Sequence, residues 1–291
     1  MAEKVSLILE GGGMRGAYTA GVLDFFHDEG VEFPLVVTAS SSSIIGSSYV
    51  AKQRGRNQEI LKTLVNSTNS ISYLRMLRQR ELFGMDFIFH TIPNELLPFD
   101  FDTFSQSNTT FVVSTTDIHT GEAVYYDTYP TKKDLLTVMR ASSSLPMLAS
   151  SVRYQEKELM DGGIADPIPI TPATIQGYKK HVIILTRNEG YVKKATKLNW
   201  LFKHAFKDKY DFRQALKNRH NKYNQTMELV KEMEKRGDVL LIQPEEPLQV
   251  RRTERKKEKL YQLYQQGYQE AETYREQLHL FLGGDDQTKA L

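Results

Sequence analysis

Val5-Ser6-Leu7-Ile8-Leu9 is a short run, apolar at every position but one, that ends in Glu10 and three glycines. A run of that length stopped by a flexible loop predicts a buried strand. Ala17, Val22, Leu23, Phe25 and Phe26 then recur at helical spacing as far as Gly30, which predicts a helix with a glycine stop. Leu35-Val36-Val37 repeats the strand pattern after Pro34, then passes into four serines and a small-residue helical stretch reaching about Lys52. Strand, helix, strand, helix is the order of a parallel sheet covered by helices.

Further along, 58–78 reads as one helix, and 83–104, rich in Phe and Pro without a period, reads as irregular. The β-rich runs 110–115 and 123–126 flank Thr120-Gly121 and predict a hairpin. Residues 132–141 predict a helix, and 157–160 a short strand leading into Asp161-Gly162-Gly163. Two further strands, 181–186 and 239–242, bracket a long basic helical region, and 254–282 reads as one charged helix. No repeat or linker interrupts the pattern. The expectation is a single α/β domain over 1–291, with its core at about 5–190, helical elaboration over 191–282 and a short tail over 283–291.

Composition narrows the chemistry. The chain has 291 residues, 40% hydrophobic and 25% charged, and no cysteine. A disulfide scaffold, a thiol nucleophile and a cysteine-ligated metal are thereby excluded. Met1 to Lys4 leads straight into the first strand without the pattern of a signal peptide, and no 18-residue apolar run occurs, so the expected location is cytoplasmic. The net charge of +2 is unevenly spread. Residues 191–236 carry 13 basic and five acidic side chains, an excess of eight positive charges, which leaves −6 elsewhere. The excess suits solvated helix faces or peripheral contact with an anionic membrane. Nucleic acid is not expected, because the basic residues form no recognised binding motif.

Gly11-Gly12-Gly13-Met14-Arg15-Gly16 satisfies G-x-G-x-x-G between a strand and a helix. A dinucleotide site also needs an acid at the end of the second strand, where Thr38-Ala39-Ser40 stands instead. The loop otherwise reads as an oxyanion hole, its N–H groups converging at a helix N-terminus, or as a tight turn. Thr38-Ala39-Ser40-Ser41-Ser42-Ser43 occupies a strand-to-helix turn, the setting of a serine nucleophile, or else a polar helix cap. Asp161, at a strand end before Gly162-Gly163, is exposed on a loop that a ligand can approach, or simply opens a turn. Asp166-Pro167 looks like turn chemistry.

At these three motifs the chain resembles the patatin-like phospholipase family, especially its bacterial members. Gly11 to Gly16 match the family's G-G-G-x-R/K-G loop, and Asp161-Gly162-Gly163 its D-G-G/A motif. Glu32-Phe33-Pro34, Ser48-Tyr49-Val50 and Gln53-Arg54-Gly55-Arg56-Asn57 are similar to those relatives on either side of the elbow. That framing puts the family's nucleophile on Ser40, with Thr38 and Ser42 at the positions of the two G-x-S-x-G glycines. Ala141-Ser142-Ser143-Ser144-Leu145-Pro146 resembles the stretch ahead of the aspartate.

The resemblance implies a three-layer α/β/α sandwich with a mostly parallel central sheet and C-terminal helical elaboration. It implies a Ser40–Asp161 dyad needing no cofactor or metal, with the Gly11–Gly16 backbone as oxyanion hole and phospholipid or another acyl ester as substrate. Arg15 is expected to fix the loop or the phosphate end of a substrate. The seven histidines show no placement suggesting a catalytic base. The second reading keeps the fold but, because the elbow glycines are replaced, makes the protein a weakened or inactive module that binds a membrane surface or a partner.

Overall fold

The computed structural model describes residues 4–79 and 81–283. Its centre is one mixed sheet of β1 (Val5–Leu9), β2 (Leu35–Ala39), β3 (Thr110–Asp117), β4 (Ala123–Tyr126), β5 (Val152–Tyr154), β6 (Lys157–Asp161), β7 (Lys180–Ile184) and β8 (Val239–Ile242). Along the sheet the order is β5-β6-β3-β2-β1-β7-β8, and β4 also pairs with β3. From β3 through β8 neighbours run parallel, whereas β4, β5 and β6 are antiparallel additions.

The central strands are buried on both faces, which is why they read as continuous apolar runs. Leu7, Leu9, Val36, Val182 and Ile184 pack on one side, where α1 (Gly16–Asp28), α2 (Ser42–Val50), α3 (Arg56–Asn66) and α6 (Lys132–Ser142) lie. Ile8, Leu35, Val37 and Ile183 alternate to the other side, against α7 (Thr171–Ile175) and α9 (Tyr210–Lys235). Three layers result. The remaining helices are α4 (Tyr73–Gln79), α5 (Phe101–Ser105), α8 (Asn199–Ala205), α10 (Lys257–Thr273) and α11 (Arg275–Phe281). Among the described residues no helix is long and apolar enough to cross a membrane.

The contact of α1 with α10 ties the end of the chain to its beginning. A Cβ on Gly21 would collide with the Tyr264 carbonyl, and one on Gly267 with the Tyr18 carbonyl, so the two backbones touch where both helices carry glycine. Tyr18 Oη donates to Glu270 at 2.8 Å across the same interface.

Four expectations from the pattern are corrected. The helix over 58–78 is two helices, α3 and α4, because the polar stretch between them bonds to itself: Asn69 N–H donates to Ser67 Oγ and Ser70 Oγ to the Ser67 carbonyl. The irregular 83–104 contains a wide π-type helix, Phe87–Leu96, with Pro93 inside it, followed by α5. Proline cannot donate to a regular α-helical ladder, and the turn widens around it. The charged helix over 254–282 breaks at Tyr274 into α10 and α11. Strand β5 was not expected at all; Gln155 and Glu156 make its turn to β6 at φ of 45° and 58° without the usual glycine signal. The tail over 283–291 lies, from 284 onward, outside the described residues.

Candidate active site

Register brings the three motifs to one end of the sheet. Leu9 pairs with Thr38 across β1 and β2, and Ala39 with Ser114 across β2 and β3. Strand β6 runs back along the far end of β3, so that Asp161 pairs with Thr115, one row beyond Ala39. Asp161 therefore returns to the level of Ser40, and both side chains line one small chamber with the glycine loop.

Ser40 sits at φ 60°, in the left-handed region, on the turn from β2 into α2. For a residue with a Cβ that conformation costs about 1–2 kcal/mol. The surrounding hydrogen bonds hold it. Ser40 N–H donates to Ser142 Oγ at 2.8 Å, and the Ser40 carbonyl accepts from Ser43 Oγ at 2.7 Å. Ser40 Oγ itself makes no hydrogen bond among the described residues, and the residue is 9% exposed.

The two residues at the elbow-glycine positions are accommodated in place. Thr38 is fully buried, its Oγ1 donating to the Val112 carbonyl at 3.0 Å, and its methyl lies against Gly46, where a Cβ would come within 3.0 Å. Ser42 Oγ lies 3.0 Å from the Leu9 carbonyl and 2.8 Å from that of Ala39, and accepts from Ala39 N–H at 3.0 Å. The substituted hydroxyls thus join the ends of β1 and β2.

The glycine loop is required by crowding. A Cβ on Gly11 would lie 2.7 Å from the Ala39 carbonyl oxygen, one on Gly12 2.9 Å from the Thr186 side chain, and one on Gly13 2.8 Å from the Arg252 carbonyl oxygen. Gly13 also has φ +59°. The expected oxyanion donors narrow accordingly. Met14 N–H donates to the Arg252 carbonyl, Arg15 N–H to Gly12, and Gly16 N–H to Gly13 and Met14, because Gly13–Arg15 is a 3-10 turn. Gly12 N–H reaches Ser41 Oγ at 3.3 Å. Gly13 N–H has no acceptor among the described residues.

Asp161 is fully buried at the end of β6. Its Oδ1 accepts from Gly163 N–H at 3.0 Å and lies 4.0 Å from Arg219 Nη2; its Oδ2 has no hydrogen-bond partner. Backbone bonds from Asp161 N–H to the Ser144 carbonyl and from Gly162 N–H to the Ser142 carbonyl fix the turn. The serines at the end of α6 therefore clamp the Ser40 turn and the Asp161 turn together. Asp166 is buried elsewhere and accepts from Tyr125 Oη at 2.7 Å.

Arg15 departs from half of its expectation. It is buried outside the chamber lining, with Nη2 3.5 Å from Thr186 Oγ1. Burial, then Arg187 and Arg252 nearby, bring its pKa down to about 10. Three cations missed by motif reading line the chamber instead: Lys193 after β7, Arg219 on α9 and Arg252 after β8. Arg219 Nε donates to the Gly163 carbonyl beside Asp161. None of the seven histidines lines this chamber. His181 is buried within the sheet, its Nδ1 2.7 Å from Ser6 Oγ.

A second, apolar channel opens on the other side of Ser40. Ile44, Leu61, Leu64, Phe83, Ile88 and Phe89 are among its walls. The Phe-rich 83–104 stretch thus divides: Phe83 and Phe89 face the channel, and Phe99 and Phe104 pack with tilted rings in the core.

Fold and site together define an α/β protein with a serine on a strained strand-to-helix turn and a buried aspartate in the same chamber. The family model for patatin-like phospholipase matches residues 7–174, and a model for a domain of unknown function, DUF6363, matches residues 211–283. The chain belongs to the patatin-like phospholipase family. It is 30% identical over 188 residues to the uncharacterised protein YjjU of Escherichia coli K12, covering 63% of this chain and 52% of that one. It is 28% identical over 189 residues to lysophospholipase NTE1 of Scheffersomyces stipitis, covering 61% of this chain and 11% of that one. The chain thus spans about half the length of the first of these relatives and a small part of the second. Among solved structures, VipD from Legionella pneumophila aligns over 94% of this chain and 67% of its own, with a TM-score of 0.47 and 13% identity.

Proposed function

We propose that the protein is a lipid acyl hydrolase that cleaves carboxylic esters of phospholipids or lysophospholipids with Ser40 as nucleophile and Asp161 as base. The observation that carries this reading is the pairing, in one chamber, of an unbonded Ser40 Oγ on a strained turn with a buried, unpartnered Asp161 Oδ2. In the first half-reaction Oγ attacks the ester carbonyl carbon and its proton passes to Oδ2. The tetrahedral oxyanion faces Gly13 N–H, with Gly12 N–H joining when the Ser41 hydroxyl turns away, and the N-terminus of α2 adds partial positive charge. Collapse expels the alcohol, which takes the proton from Asp161. Water then attacks the acyl-serine and gives its proton to Asp161, and the collapse that releases the fatty acid returns that proton to Ser40 Oγ. The apolar channel supports the placement of the acyl chain.

The same reading treats 1–291 as one folding unit, with β8, α9 and α10 part of it, and puts the protein in the cytoplasm, peripheral to an anionic membrane. Exposed Trp200 and Leu198 on the basic 191–236 segment support that contact. Sedimentation with anionic but not neutral vesicles, lost at high salt, is the expected outcome.

Covalent labelling tests the chemistry. A fluorophosphonate is expected to modify wild type on the Ser40 peptide and to leave Ser40→Ala and Asp161→Asn unlabelled. Hydrolysis of p-nitrophenyl butyrate is expected to fall about 10⁴-fold or more in either variant, as when a nucleophile or its base is removed from other serine hydrolases. Wild-type protein that is folded yet neither labels nor turns over esters would favour the inactive binding module.

A further inference from the structure

Ser40 stands between two cavities of opposite character. The channel described above is apolar. The chamber on the Asp161 side is compact, and Lys193, Arg219 and Arg252 stand in its wall. Gly13, Ser40 and Leu145 line both. For an ester whose carbonyl carbon lies at Ser40 and whose chain fills the channel, this cationic chamber is the neighbouring cavity on offer to the alcohol part.

The positive charge there exceeds what the protein itself neutralises. Lys193, Arg219 and Arg252 share the chamber with only two carboxylates, Glu10 and Asp161. Glu10 Oε2 is already engaged by Thr186 N–H at 2.7 Å and Thr186 Oγ1 at 3.0 Å, and Asp161 Oδ1 by Gly163 N–H at 3.0 Å. Among the described residues neither Lys193 nor Arg252 has a carboxylate within ion-pair distance. Like charges held together in a partly desolvated site raise the energy of the empty state and favour an anionic ligand.

The segments that carry Lys193 and Arg252 are fixed at their backbones. Asn224 on α9 grips the Lys193 backbone from both sides, accepting from its N–H at 2.9 Å and donating to its carbonyl at 3.1 Å. The Lys193 ammonium rests 4.5 Å from the centre of the Tyr223 ring, one helical turn beyond Arg219. Arg252 is tied to the glycine loop through its carbonyl and Met14 N–H at 3.1 Å. Such anchoring lowers the entropy lost when a ligand is gripped.

The geometry points to a subsite for the phosphate of an anionic lipid headgroup, read by Lys193 and Arg252 over Arg219, which makes the enzyme select anionic phospholipids or lysophospholipids over zwitterionic and neutral esters of the same chain. This rests on the reading of Ser40 as nucleophile and adds the class of leaving group to it. Phosphate offers three acceptor oxygens to donors that converge from three segments, whereas a choline ammonium would bring a further cation toward the same wall.

Binding and turnover separate the two readings. With Ser40→Ala protein, dodecyl phosphate is expected to bind about tenfold or more tighter than dodecylphosphocholine or monododecanoyl glycerol, the scale of one or two charge-assisted hydrogen bonds. A Lys193→Gln/Arg252→Gln pair in that background is expected to bring the three within about threefold of one another, and Lys193→Arg to retain the preference. Equal binding of the three ligands by the Ser40→Ala protein, or a preference that survives the double substitution, overturns the subsite. Inorganic phosphate binding as tightly as dodecyl phosphate overturns the assignment to a lipid headgroup. In turnover by otherwise wild-type protein, kcat/KM for dodecanoyl lysophosphatidic acid relative to monododecanoyl glycerol is expected to fall by the same factor in the double variant. A binding preference without hydrolysis of either ester would sink the hydrolase reading and leave the subsite standing; hydrolysis of both without preference would do the reverse.

Discussion

The segment matched by the patatin-like family and the segment after it meet at Ser40 with different kinds of group. Residues 7–174 bring small side chains and backbone, with the three glycines and the serines of 40–43 and 142–144, and two buried carboxylates, Glu10 and Asp161. Residues 211–283 bring bulk and charge: Arg219 beside Asp161, Arg252 over the glycine loop, and α10 pressed on α1. The first segment holds Ser40 and Asp161 by turn geometry and by the serines after α6. The second acts from outside, and its removal would leave the motifs intact in sequence while exposing α1 and opening the chamber.

The most forceful way to break that division is at the α1–α10 contact. Gly267→Val and Gly21→Val each drive a side chain into a facing backbone carbonyl, and overpacking of that kind costs about 3 kcal/mol or more. Urea unfolding is expected to show that loss, together with reduced ester turnover, although neither residue touches the site. Unchanged stability in both variants would mean that α10 merely rests on the patatin-like half.

Arg219 tests whether the later segment also positions the chemistry. Arg219→Met removes the Nε bond to the Gly163 carbonyl and the charge 4.0 Å from Asp161. Turnover of neutral and anionic esters alike is expected to fall about 10- to 100-fold through kcat, the range that a displacement of the base near 1 Å produces. Arg219→Lys, which restores the charge but not the planar fork, should recover part of it. A change confined to KM would make Arg219 a contact for substrate alone.

What could be read in advance follows the same boundary. The glycine loop, the Ser40 turn and the Asp161 turn were legible because each is a local signal: strand, tight turn and helix within a dozen residues. Strands β7 and β8 were legible as apolar runs. The clamp from Ser142 to Ser40 and the approach of Arg219 to Gly163 span 102 and 56 residues, and no local pattern announces them. Lys193 and Arg219 stood among 13 similar basic residues in 191–236. Only the packing of α9 against the sheet turned those two inward. Strand β5 and the helix around Pro93 were hidden for the opposite reason: their local signals, a turn without glycine and a proline amid phenylalanines, argue against the structure that tertiary packing imposes.

Thr38 sharpens the comparison from the other side. Restoring the family's glycine in Thr38→Gly deletes the Val112 hydrogen bond and the methyl that packs against Gly46. A loss of about 1–2 kcal/mol in unfolding free energy is expected, with ester turnover within about threefold of wild type. A large gain in turnover would show that threonine had been holding Ser40 out of attack geometry.

Lys193 yields the smallest effect. Burial, then Arg219 and Arg252, hold its ammonium down to about 7, with Arg15 acting in the same direction and Glu10 opposing. Below that value Lys193 is charged, as the proposed phosphate subsite requires; as pH rises through it, the unliganded protein loses the cation. A bound anion favours the charged form, so binding takes up protons near neutrality. Affinity for dodecyl phosphate is therefore expected to fall about fivefold between pH 6 and 8.5, as one charge-assisted contact of about 1 kcal/mol is lost in a partly exposed site. The pH span stays above the second ionisation of an alkyl phosphate only in its upper part, so a permanently monoanionic dodecyl sulfate control is needed. Its affinity should fall over the same range, and in Lys193→Arg, where the charge is kept, it should not. Calorimetric enthalpies that depend on buffer ionisation for wild type, but not for Lys193→Arg, would identify the proton as this one. A sulfate affinity flat with pH in wild type would remove Lys193 from the subsite and leave Arg252 and Arg219 to carry the charge that the later segment brings to Ser40.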